Sequence, residues 1–438
     1  MKKKICFVAS GDYLQTRRVP SYEDQSFKKV ANLIQQADAR ITNLEIHISY
    51  NEGTPGAFSG GTHVQTTPDR LEDLISYGFN LVGTANNHAL DFNYDGLLLT
   101  NQYLDQYGIL HTGTGKNLYE AEKPVYLETM AGRVALISIA TPMYKAHLAT
   151  EQRRNCIGRP GVNGLRFKKT HTISKEDFEV LKRIARKTEI NALYEMAVNE
   201  GFGQPMPENT LPFGKDMSGY NLVFSAGEQE GLVTDPDEQD LKRISNIIDD
   251  ARRQADYVLV SCHCHEMKGN DKSLAPDFLP KAARCFIDAG ANAFIGHGPH
   301  VLRGIEIYKN RPIFYSLGNF ILQNETLDML PQDFYDNNKV PNDFSVMQAM
   351  DKKSNNGTKG LLYIQEVMEA VIPYWTMENG NLKEILLYPI ELGYGRKRHQ
   401  SGFPEITENV QILEHLKKLS LPYGTNIIIE NGIGKIKI

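Results

Sequence analysis

The sequence VLVSCHCHE, residues 258–266, passes directly from an apolar run into histidines and a glutamate. The same change, from an apolar run to a polar turn and then to a segment with helical periodicity, recurs along the chain. The apolar runs cover residues 5–9, 41–46, 79–84, 133–140, 257–262, 293–296 and 312–317. Helices are predicted between them at 24–37, 68–77, 94–107, 237–255 and 277–289. Strands alternating with helices in this way predict an α/β fold.

The chain is predicted to contain one main domain with an insertion and a C-terminal extension. The main domain covers residues 1–325, and Lys- and Glu-rich helical periodicity followed by a Pro- and Gly-rich stretch indicates a helical insertion at about 165–222. Residues 326–360 are rich in Asn, Asp and Lys, which favours a flexible loop, interpreted as a surface excursion rather than a lid. Residues 361–438 are expected to add strands and a helix near 406–419 to the same domain.

Composition and charge limit the classes of function. Lys and Arg number 48 and Asp and Glu number 53, a net charge of −5, so the chain offers no basic surface for nucleic acid. No apolar stretch approaches the about 18 residues of a membrane span, and the run at 5–9 is too short for a signal peptide. The five cysteines are sparse and odd in number. We therefore expect a cytoplasmic protein without a membrane span, a structural disulfide or a nucleic-acid partner.

Side chains that bind metals follow the predicted strands, at the edge where parallel sheets place ligand sites. Carboxylate, amide and imidazole donors from several segments suit a divalent ion, and a shared carboxylate can bridge two ions. Because the set has only oxygen and nitrogen donors, it favours manganese, iron or zinc in an open catalytic site over a closed cysteine site. The candidate ligands are Asp12, Glu45, Asn87, His263, His297 and His300.

Cysteines and histidines alternate over residues 262–265. On an extended strand Cys262 and Cys264 would face one side, and His263 and His265 the other. A thiolate metal site at this strand is therefore the less favoured interpretation. The histidines away from the strand ends are interpreted as ordinary core or surface residues: His47, His63, His111, His147, His171 and His399.

Several short motifs occur in a specific order and at specific separations. They are GDYLQTR (11–17), NLE (43–45), ANNHALD (85–91), SCHCHE (261–266), GHGPHVLRGIEIY (296–308) and YSLGNF (315–320). Through them the chain resembles the CapA family, which is named for poly-γ-glutamate capsule biosynthesis. The resemblance runs from about residue 5 to 322 and continues weakly near the C-terminus, whereas the insertion at 170–220 carries none of it.

The resemblance implies a calcineurin-like metallophosphatase fold, a four-layer sandwich of two mixed β-sheets flanked by helices, here with a helical insertion and a C-terminal β/α extension. It also implies a dinuclear metal site. Asp12 would bind the first ion, and Glu45 would bridge the two. The remaining roles follow in the same way: Asn87 and His263 would hold the second ion, His297 and His300 would complete the pair, and His88 would protonate the leaving oxygen.

Two departures from the broader metallophosphatase pattern affect these roles. Leu14 stands where a histidine usually follows the first aspartate by two positions, so one ion loses a ligand. Many relatives have Trp-Gly after the histidine of the HCHE segment, so His263 and His265 compete for one ligand position. We prefer His263 as the ligand, with His265 or Glu266 facing the substrate.

Chemistry alone also supports a division of roles around His88. An imidazole next to an amide ligand is held at a fixed distance from a metal-bound reacting group. Asp91, three residues later, either orients the His88 ring or caps a helix. Arg17 is either a clamp for a phosphate or carboxylate group, or a surface residue.

The expected function is a metal-dependent hydrolase, a phosphoesterase with a dinuclear site, acting on a small-molecule or polymer substrate that carries phosphate or glutamyl groups. The alternative is a metal-binding accessory protein in poly-γ-glutamate or related polymer synthesis, without turnover of its own. A third interpretation, a scaffold that retains only the fold, is disfavoured because the metal-binding residue types are intact.

Overall fold

The computed structural model of the chain describes residues 4–216 and 221–438. The strands within these ranges are β1 (Lys4–Leu14), β2 (Ala39–Leu44), β3 (His47–Ile48), β4 (Gln65–Thr66), β5 (Leu81–Gly83), β6 (His111–Thr112), β7 (Thr114–Gly115), β8 (Val125–Thr129), β9 (Gly132–Ala140), β10 (Gly161–Val162), β11 (Phe167–Ile173), β12 (Thr210–Lys215), β13 (Asn221–Ala226), β14 (Gly231–Pro236), β15 (Tyr257–His263), β16 (Ala293–His297), β17 (Leu302–Tyr308), β18 (Arg311–Leu317), β19 (Asn319–Leu322), β20 (Glu369–Glu378), β21 (Asn381–Glu391), β22 (Glu405–Ile406), β23 (Ile427–Glu430) and β24 (Ile433–Ile436).

The helices in the same ranges are α1 (Gln25–Gln35), α2 (Leu71–Tyr77), α3 (Asn93–Gln106), α4 (Leu118–Ala121), α5 (Lys175–Thr188), α6 (Ala192–Asn199), α7 (Glu238–Arg252), α8 (Phe278–Ala289), α9 (Gln332–Asn337), α10 (Val346–Lys353) and α11 (Val410–Ser420). These elements confirm the predicted α/β class. Residues 1–3 of the predicted main domain and 217–220 of the predicted insertion lie outside the described residues. None of the described helices is long and apolar enough to cross a membrane.

Two large mixed sheets form the centre of the molecule. The first has the strand order β23-β24-β21-β20-β1-β2-β5-β6, with β19 also paired to β1 and β22 to β21. Its strands β1, β2, β5 and β6 run parallel, and β20 is antiparallel to β1. The second sheet has the order β17-β18-β16-β15-β9-β8, with β9, β15, β16 and β18 parallel.

The alternating side chains of β1 show how the sheets pack. Phe7 lies in a buried cluster shared with Leu136 and Leu259 of the second sheet, so the two sheets face each other across a common core. Val8 points the other way, into a cluster with Val30 and Ile34 of α1. Helices α7 and α8 cover the outer face of the second sheet. The order helix, sheet, sheet, helix gives four layers, and its assignment as a calcineurin-like fold stays a prediction.

The insertion differs from the predicted helical segment. It contains helices α5 and α6, but also a four-stranded sheet of order β12-β13-β11-β14 that continues to Pro236. The strand Phe167–Ile173 has the sequence FKKTHTI, with most side chains only half-buried. Such a strand lacks the apolar run of the central strands, because one small sheet at the surface buries little of each face. The apolar content of this segment therefore gave no indication of a strand in the sequence.

The segment 326–360 also differs from the predicted flexible loop. It contains the helices α9 and α10, which pack through a small cluster that includes Phe334, Ala349 and Met350. Helix α10 begins at a capping box formed by Ser345 and Gln348. Helices of six and eight residues are too short for a clear apolar period in the sequence, which explains why neither was predicted.

The C-terminal extension continues the first sheet. Strand β20 pairs with β1 along Lys4–Val8, and β21 to β24 extend the sheet outward from it. Helix α11 buries Ile412, Leu413 and Leu416 in the core between the sheets. Residues 361–438 thus pack on the same core as the strands of both sheets.

Candidate metal centre

The site is built where parallel strands of both sheets end. Asp12 of β1 lies opposite Asn43 of β2 and Asn319 of β19. In the facing sheet, His263 at the end of β15 lies opposite His297 at the end of β16. Because the two sheets share one core, the polar ends of these strands meet at a single edge.

Three buried side chains form the first ligand group. Asp12 Oδ1 lies 3.4 Å from Nδ1 of His263 and 3.4 Å from Nδ1 of His297, and the two Nδ1 atoms are 3.0 Å apart. Donor atoms bound to one ion at about 2.1 Å lie about 3.0–3.4 Å from each other in octahedral or tetrahedral geometry. The three atoms therefore have the spacing that one transition-metal ion requires.

A second ligand group surrounds Glu45, which follows β2. The Nε2 atoms of histidine rings lie around Glu45 Oε1 at 3.4 Å (His263), 3.8 Å (His265) and 3.9 Å (His88 and His300). His263 belongs to both groups, with Nδ1 toward Asp12 and Nε2 toward Glu45. Both histidines of the HCHE segment thus reach the centre, and geometry does not exclude either one.

Buried polar atoms without partners concentrate at this centre. Both carboxylate oxygens of Glu45, Oδ1 of Asn87, and Nε2 of His263 and His265 have no hydrogen-bond partner among the residues the structure describes. Each buried polar atom left in this state costs about 1–3 kcal/mol. A divalent cation would satisfy these lone pairs together, so the donor set fits a metal ion. That the site binds two ions, and that these are manganese, iron or zinc, stays a prediction.

The histidine rings are held by partners outside the two ligand groups. Nε2 of His297 lies 2.8 Å from Ser261 Oγ, and Nδ1 of His300 lies 2.8 Å from Asn319 Oδ1. When these nitrogens donate to the two oxygens, Nδ1 of His297 and Nε2 of His300 carry the free lone pairs that face the centre. The Asn319 amide oxygen can only accept, so it fixes the tautomer of His300, whereas the Ser261 hydroxyl orients the His297 ring with Nδ1 toward the centre.

Burial and charge shift the two acids in opposite directions. Burial, together with the nearby charges of Asp12 and Asp91, raises the pKa of Glu45 well above its usual value. Burial also acts to raise the pKa of Asp12, but hydrogen bonds with the His263 and His297 rings outweigh it and hold that pKa well below its usual value. The charged form is thus favoured for Asp12 and disfavoured for Glu45.

The imidazoles at the centre favour their neutral forms. Burial lowers the pKa of His263 to about 4 and lowers the pKa of His265 and His300, with neighbouring histidines adding to the shift for His265. A neutral imidazole has one nitrogen lone pair available for a metal. At neutral pH these rings therefore present ligands and not competing positive charges.

His88 and Asp91 form a pair at the side of the centre. Asn87–Leu90 is a short 3-10 helix that follows β5, and His88 Nδ1 lies 2.7 Å from Asp91 Oδ2. Asp91 also accepts hydrogen bonds from the backbone N–H groups of Gly60 and Val64. The contact has the geometry of the predicted role in which Asp91 orients the His88 ring, and that role stays a prediction.

The structure gives Arg17 a different role from the predicted substrate clamp. Its Nη1 and Nη2 donate to the backbone carbonyls of His399 and Ser401 at 2.6 and 2.7 Å, and Nε donates to Thr326 Oγ1. The guanidinium also lies over the ring of Phe403. These contacts use the fork of donors that would hold a phosphate, so Arg17 ties the segment around residue 400 to β1.

Glu266, the other predicted substrate contact, lies on the loop after β15. Its Oε2 accepts a hydrogen bond of 2.5 Å from Thr141 Oγ1 and a longer one from Cys264 Sγ. The prediction that the cysteines and histidines of this segment face opposite sides is confirmed, since Cys262 and Cys264 lie in the core under α7 and α8. Glu266 therefore supports the loop that carries His265.

Sequence reasoning missed three polar residues that support the ligands: Asn43, Ser261 and Asn319. Asn43 Nδ2 donates to Asp12 Oδ1 at 2.8 Å. All three lie inside the quoted motifs NLE, SCHCHE and YSLGNF. Membership in these motifs was the signal that could have found them, because asparagine and serine are not typical metal ligands by residue type. Their roles depend on which ring they face across the strand ends.

Glycines allow the backbones to approach closely at the centre. A Cβ added to Gly11 would lie 1.8 Å from the carbonyl oxygen of Gly318, and Asp12 N donates to that same oxygen at 3.1 Å. Gly298 has φ +117°, and its N–H donates to Asp12 Oδ2 at 3.0 Å. These positions require glycine because a side chain would push apart the strands that carry the ligands.

Comparisons with known proteins agree with the motifs. A family model described as "Bacterial capsule synthesis protein PGA_cap" matches residues 6–324. "Uncharacterized protein y4sH" of Sinorhizobium fredii (strain NBRC 101917 / NGR234) is 34% identical over 98% of this chain and 92% of its own length. "PGA biosynthesis protein CapA" of Bacillus subtilis (strain 168) is 24% identical over 72% of this chain and 61% of its own length. "Probable polyglutamine synthesis accessory protein Rv0574c" of Mycobacterium tuberculosis (strain ATCC 25618 / H37Rv) is 24% identical over 65% of this chain and 55% of its own length.

The family match covers every candidate metal ligand and confirms the resemblance predicted from the motifs. Accordingly, the chain belongs to the PGA_cap family of bacterial capsule synthesis proteins.

Proposed function

We propose that this chain is a metal-binding accessory protein in the synthesis of poly-γ-glutamate or a related glutamyl polymer. The observation that carries the proposal is the concentration of unpartnered ligand atoms around Asp12 and Glu45 in a chain of the PGA_cap family. Two of the relatives are named for biosynthesis of PGA or as a polyglutamine synthesis accessory protein. These names agree better with an accessory role than with an independent phosphoesterase.

The centre is suited to bind an anionic group of the polymer or of its precursor. A bound divalent ion would polarise an oxygen of a carboxylate, acyl or phosphate group and lower the pKa of water beside it. Asp12, Glu45, Asn87, His263, His297 and His300 are the residues that would hold the ion or ions. Ser261 and Asn319 orient two of these rings. Both the accessory role and a hydrolase role would begin with binding of a glutamyl or phosphate group at this edge.

The second candidate function is hydrolysis of a phosphate ester by the protein alone. It is favoured by the His88–Asp91 pair, since Asp91 accepts from Nδ1 and leaves Nε2 of His88 facing Glu45 at 3.9 Å. In the protonated ring, Nε2–H would donate its proton to the leaving oxygen, and the carboxylate of Asp91 would stabilise the charged imidazole. This second proposal includes the calcineurin-like fold that the motifs imply.

The accessory role is tested by deleting the gene in the bacterium that carries it and measuring glutamyl polymer after hydrolysis and amino-acid analysis. We expect polymer to fall and to return with the wild-type chain, but not with His297→Ala. A matched control is His111→Ala, which removes a ring that pairs with Asp105 away from the centre. Unchanged polymer in the deletion strain would contradict the accessory role.

The hydrolase role is tested with the purified full chain on p-nitrophenyl phosphate and bis-p-nitrophenyl phosphate, with added Mn²⁺ and with chelator. Turnover that disappears with chelator and in His88→Asn would support it. Absence of turnover from a metal-loaded protein that restores polymer in cells would leave the accessory role alone.

A further inference from the structure

We propose that His265 is a metal ligand through Nε2, and that it allows the group around Glu45 to hold an ion without His263. This inference rests on the proposed metal-binding function and concerns how this chain divides its ligands between two positions. It replaces the prediction that His265 faces the substrate.

A neutral His263 cannot bind an ion in both ligand groups. Its Nδ1 lies near Asp12 and His297, and its Nε2 lies near Glu45. A neutral imidazole carries a hydrogen on one nitrogen and a lone pair on the other. One of the two groups must therefore hold its ion without a bond from His263.

His263 belongs to the ligand group of Asp12 by its distances. Asp12 Oδ1 and the Nδ1 atoms of His263 and His297 lie within 3.0–3.4 Å of one another, the spacing of ligands on one ion. With its lone pair used there, His263 presents Nε2–H to Glu45 Oε1 at 3.4 Å. In this arrangement His263 is not a ligand of the second ion.

Two histidines other than His263 lie near Glu45. His265 Nε2 and His300 Nε2 lie 3.8 and 3.9 Å from Glu45 Oε1. Two atoms bound to one ion at about 2.1 Å lie at most about 4.2 Å apart, so both distances are compatible with a shared ion. His300 is held by Asn319, which leaves Nε2 as its free nitrogen. Glu45 Oε1 thus has two histidine nitrogens, other than Nε2 of His263, within the distance that a shared ion allows.

The burial of His265 distinguishes a ligand from a substrate contact. The side chain is 30% exposed, yet its Nε2 atom is buried and has no hydrogen-bond partner within residues 4–216 and 221–438. The rings of His263 and His300 lie edge-on to it at 4.9 and 5.2 Å between centroids. A substrate contact would direct its polar atom to solvent, whereas this nitrogen points into the ligand cluster.

The experiment counts ions bound by the full chain. Wild type, His265→Ala, His265→Gln and His297→Ala are stripped with chelator and dialysed against graded free Zn²⁺, and protein-bound zinc is measured by elemental analysis. We expect wild type to bind two ions. Each His265 variant should keep the ion at Asp12 and bind the other about 100-fold more weakly or more, because loss of a ligand exceeds the effect of losing a residue that only orients one. His297→Ala should show the reverse.

Controls separate the inference from the function on which it rests. His111→Ala removes a largely buried ring outside the cluster and should keep both ions. Circular dichroism establishes that each variant is folded, and the polar His265→Gln is used if His265→Ala is not. Full zinc affinity in a folded His265 variant would overturn the ligand role while leaving metal binding intact. Loss of both ions in folded His265→Gln would overturn the independence of the two positions. A wild-type chain that binds no zinc would overturn metal binding itself.

Discussion

Ser261 Oγ lies 2.8 Å from Nε2 of His297, across two neighbouring parallel strands. This contact holds the ring with Nδ1 toward Asp12, and it is made by a residue outside the ligand group. The metal centre thus depends on side chains one step removed from the ligands.

Ser261→Ala is therefore expected to weaken zinc binding about 10–100-fold without unfolding the chain, since the His297 ring would lose the partner that orients it. The measurement is zinc affinity by competition with a chelating dye. Ser420→Ala is a matched control, because Ser420 is equally buried and its hydroxyl donates to Leu416 far from the ligands. Equal loss of affinity in both variants would indicate a general effect of removing a buried hydroxyl.

Asn87→Ala and His88→Ala are expected to have different effects although the residues are adjacent. Asn87 presents a buried, unpartnered Oδ1 and should lower metal content when removed. His88 is held by Asp91 and should leave the metal in place while any phosphate-ester turnover falls about 100-fold or more. Metal analysis and turnover are measured on the same samples. Equal metal loss in both variants would contradict the role of His88 as an acid.

The sequence predicted the parts of this centre that depend on local pattern. The strand at Tyr257–His263 and its alternating cysteines and histidines followed from an apolar run and a period of two. Asp91 lies three residues from His88, so spacing alone allowed an orienting role, with a helix cap as the alternative. Such features need no knowledge of distant contacts.

Other features depend on residues that are far apart in the chain. Arg17 donates to the chain itself, through the carbonyls of His399 and Ser401, which lie 382 and 384 positions away in the sequence. Likewise, the lone pair of His300 is set by Asn319 from another strand. Hydrophobic periodicity carries no information about such polar pairs, which is why the sequence left the role of Arg17 open.

Arg17→Ala is expected to lower stability and to leave metal content unchanged. The side chain donates to two backbone carbonyls, and hydrogen bonds from a charged group contribute about 1.5–3 kcal/mol. Thermal unfolding should shift downward by several degrees, and limited proteolysis should cut first near residue 400. Arg253→Ala is the control, because that side chain is 71% exposed and pairs only with Asp249 among the contacts described. A weaker affinity for phosphate with unchanged stability would restore the clamp interpretation.

Glu45→Gln is expected to stabilise the metal-free protein as pH rises. The folded chain raises the pKa of Glu45 through burial and the charges of Asp12 and Asp91, so the folded state holds a proton that the unfolded state releases above about pH 4.5. This penalty is absent below that pH and grows as pH rises toward the folded pKa. With chelator present, we expect the variant to melt about 1–3 °C above wild type at pH 7 and by a smaller margin at pH 5.

The control for this pH dependence is Glu414→Gln, an exposed carboxylate that should show no such trend. With zinc present the order should reverse, because binding energy stabilises only the chain that retains the ligand. A wild type that melts above Glu45→Gln at pH 7 in chelator would contradict the direction of the Glu45 shift.

Gly11→Ala is expected to disrupt the centre through the backbone. The added Cβ would meet the carbonyl of Gly318 at 1.8 Å, and neither backbone can yield without breaking the hydrogen bond from Asp12 N to that oxygen. Such overpacking costs about 1–3 kcal/mol, and it displaces Asp12 from His263 and His297. Zinc content and melting temperature should therefore fall together. Gly203→Ala adds a Cβ whose nearest contact is 3.3 Å away, in the insertion, and should change neither. A Gly11→Ala variant that lost stability but kept its zinc would contradict this prediction. It would show that Asp12 does not depend, as a ligand, on the close approach of β1 to Gly318.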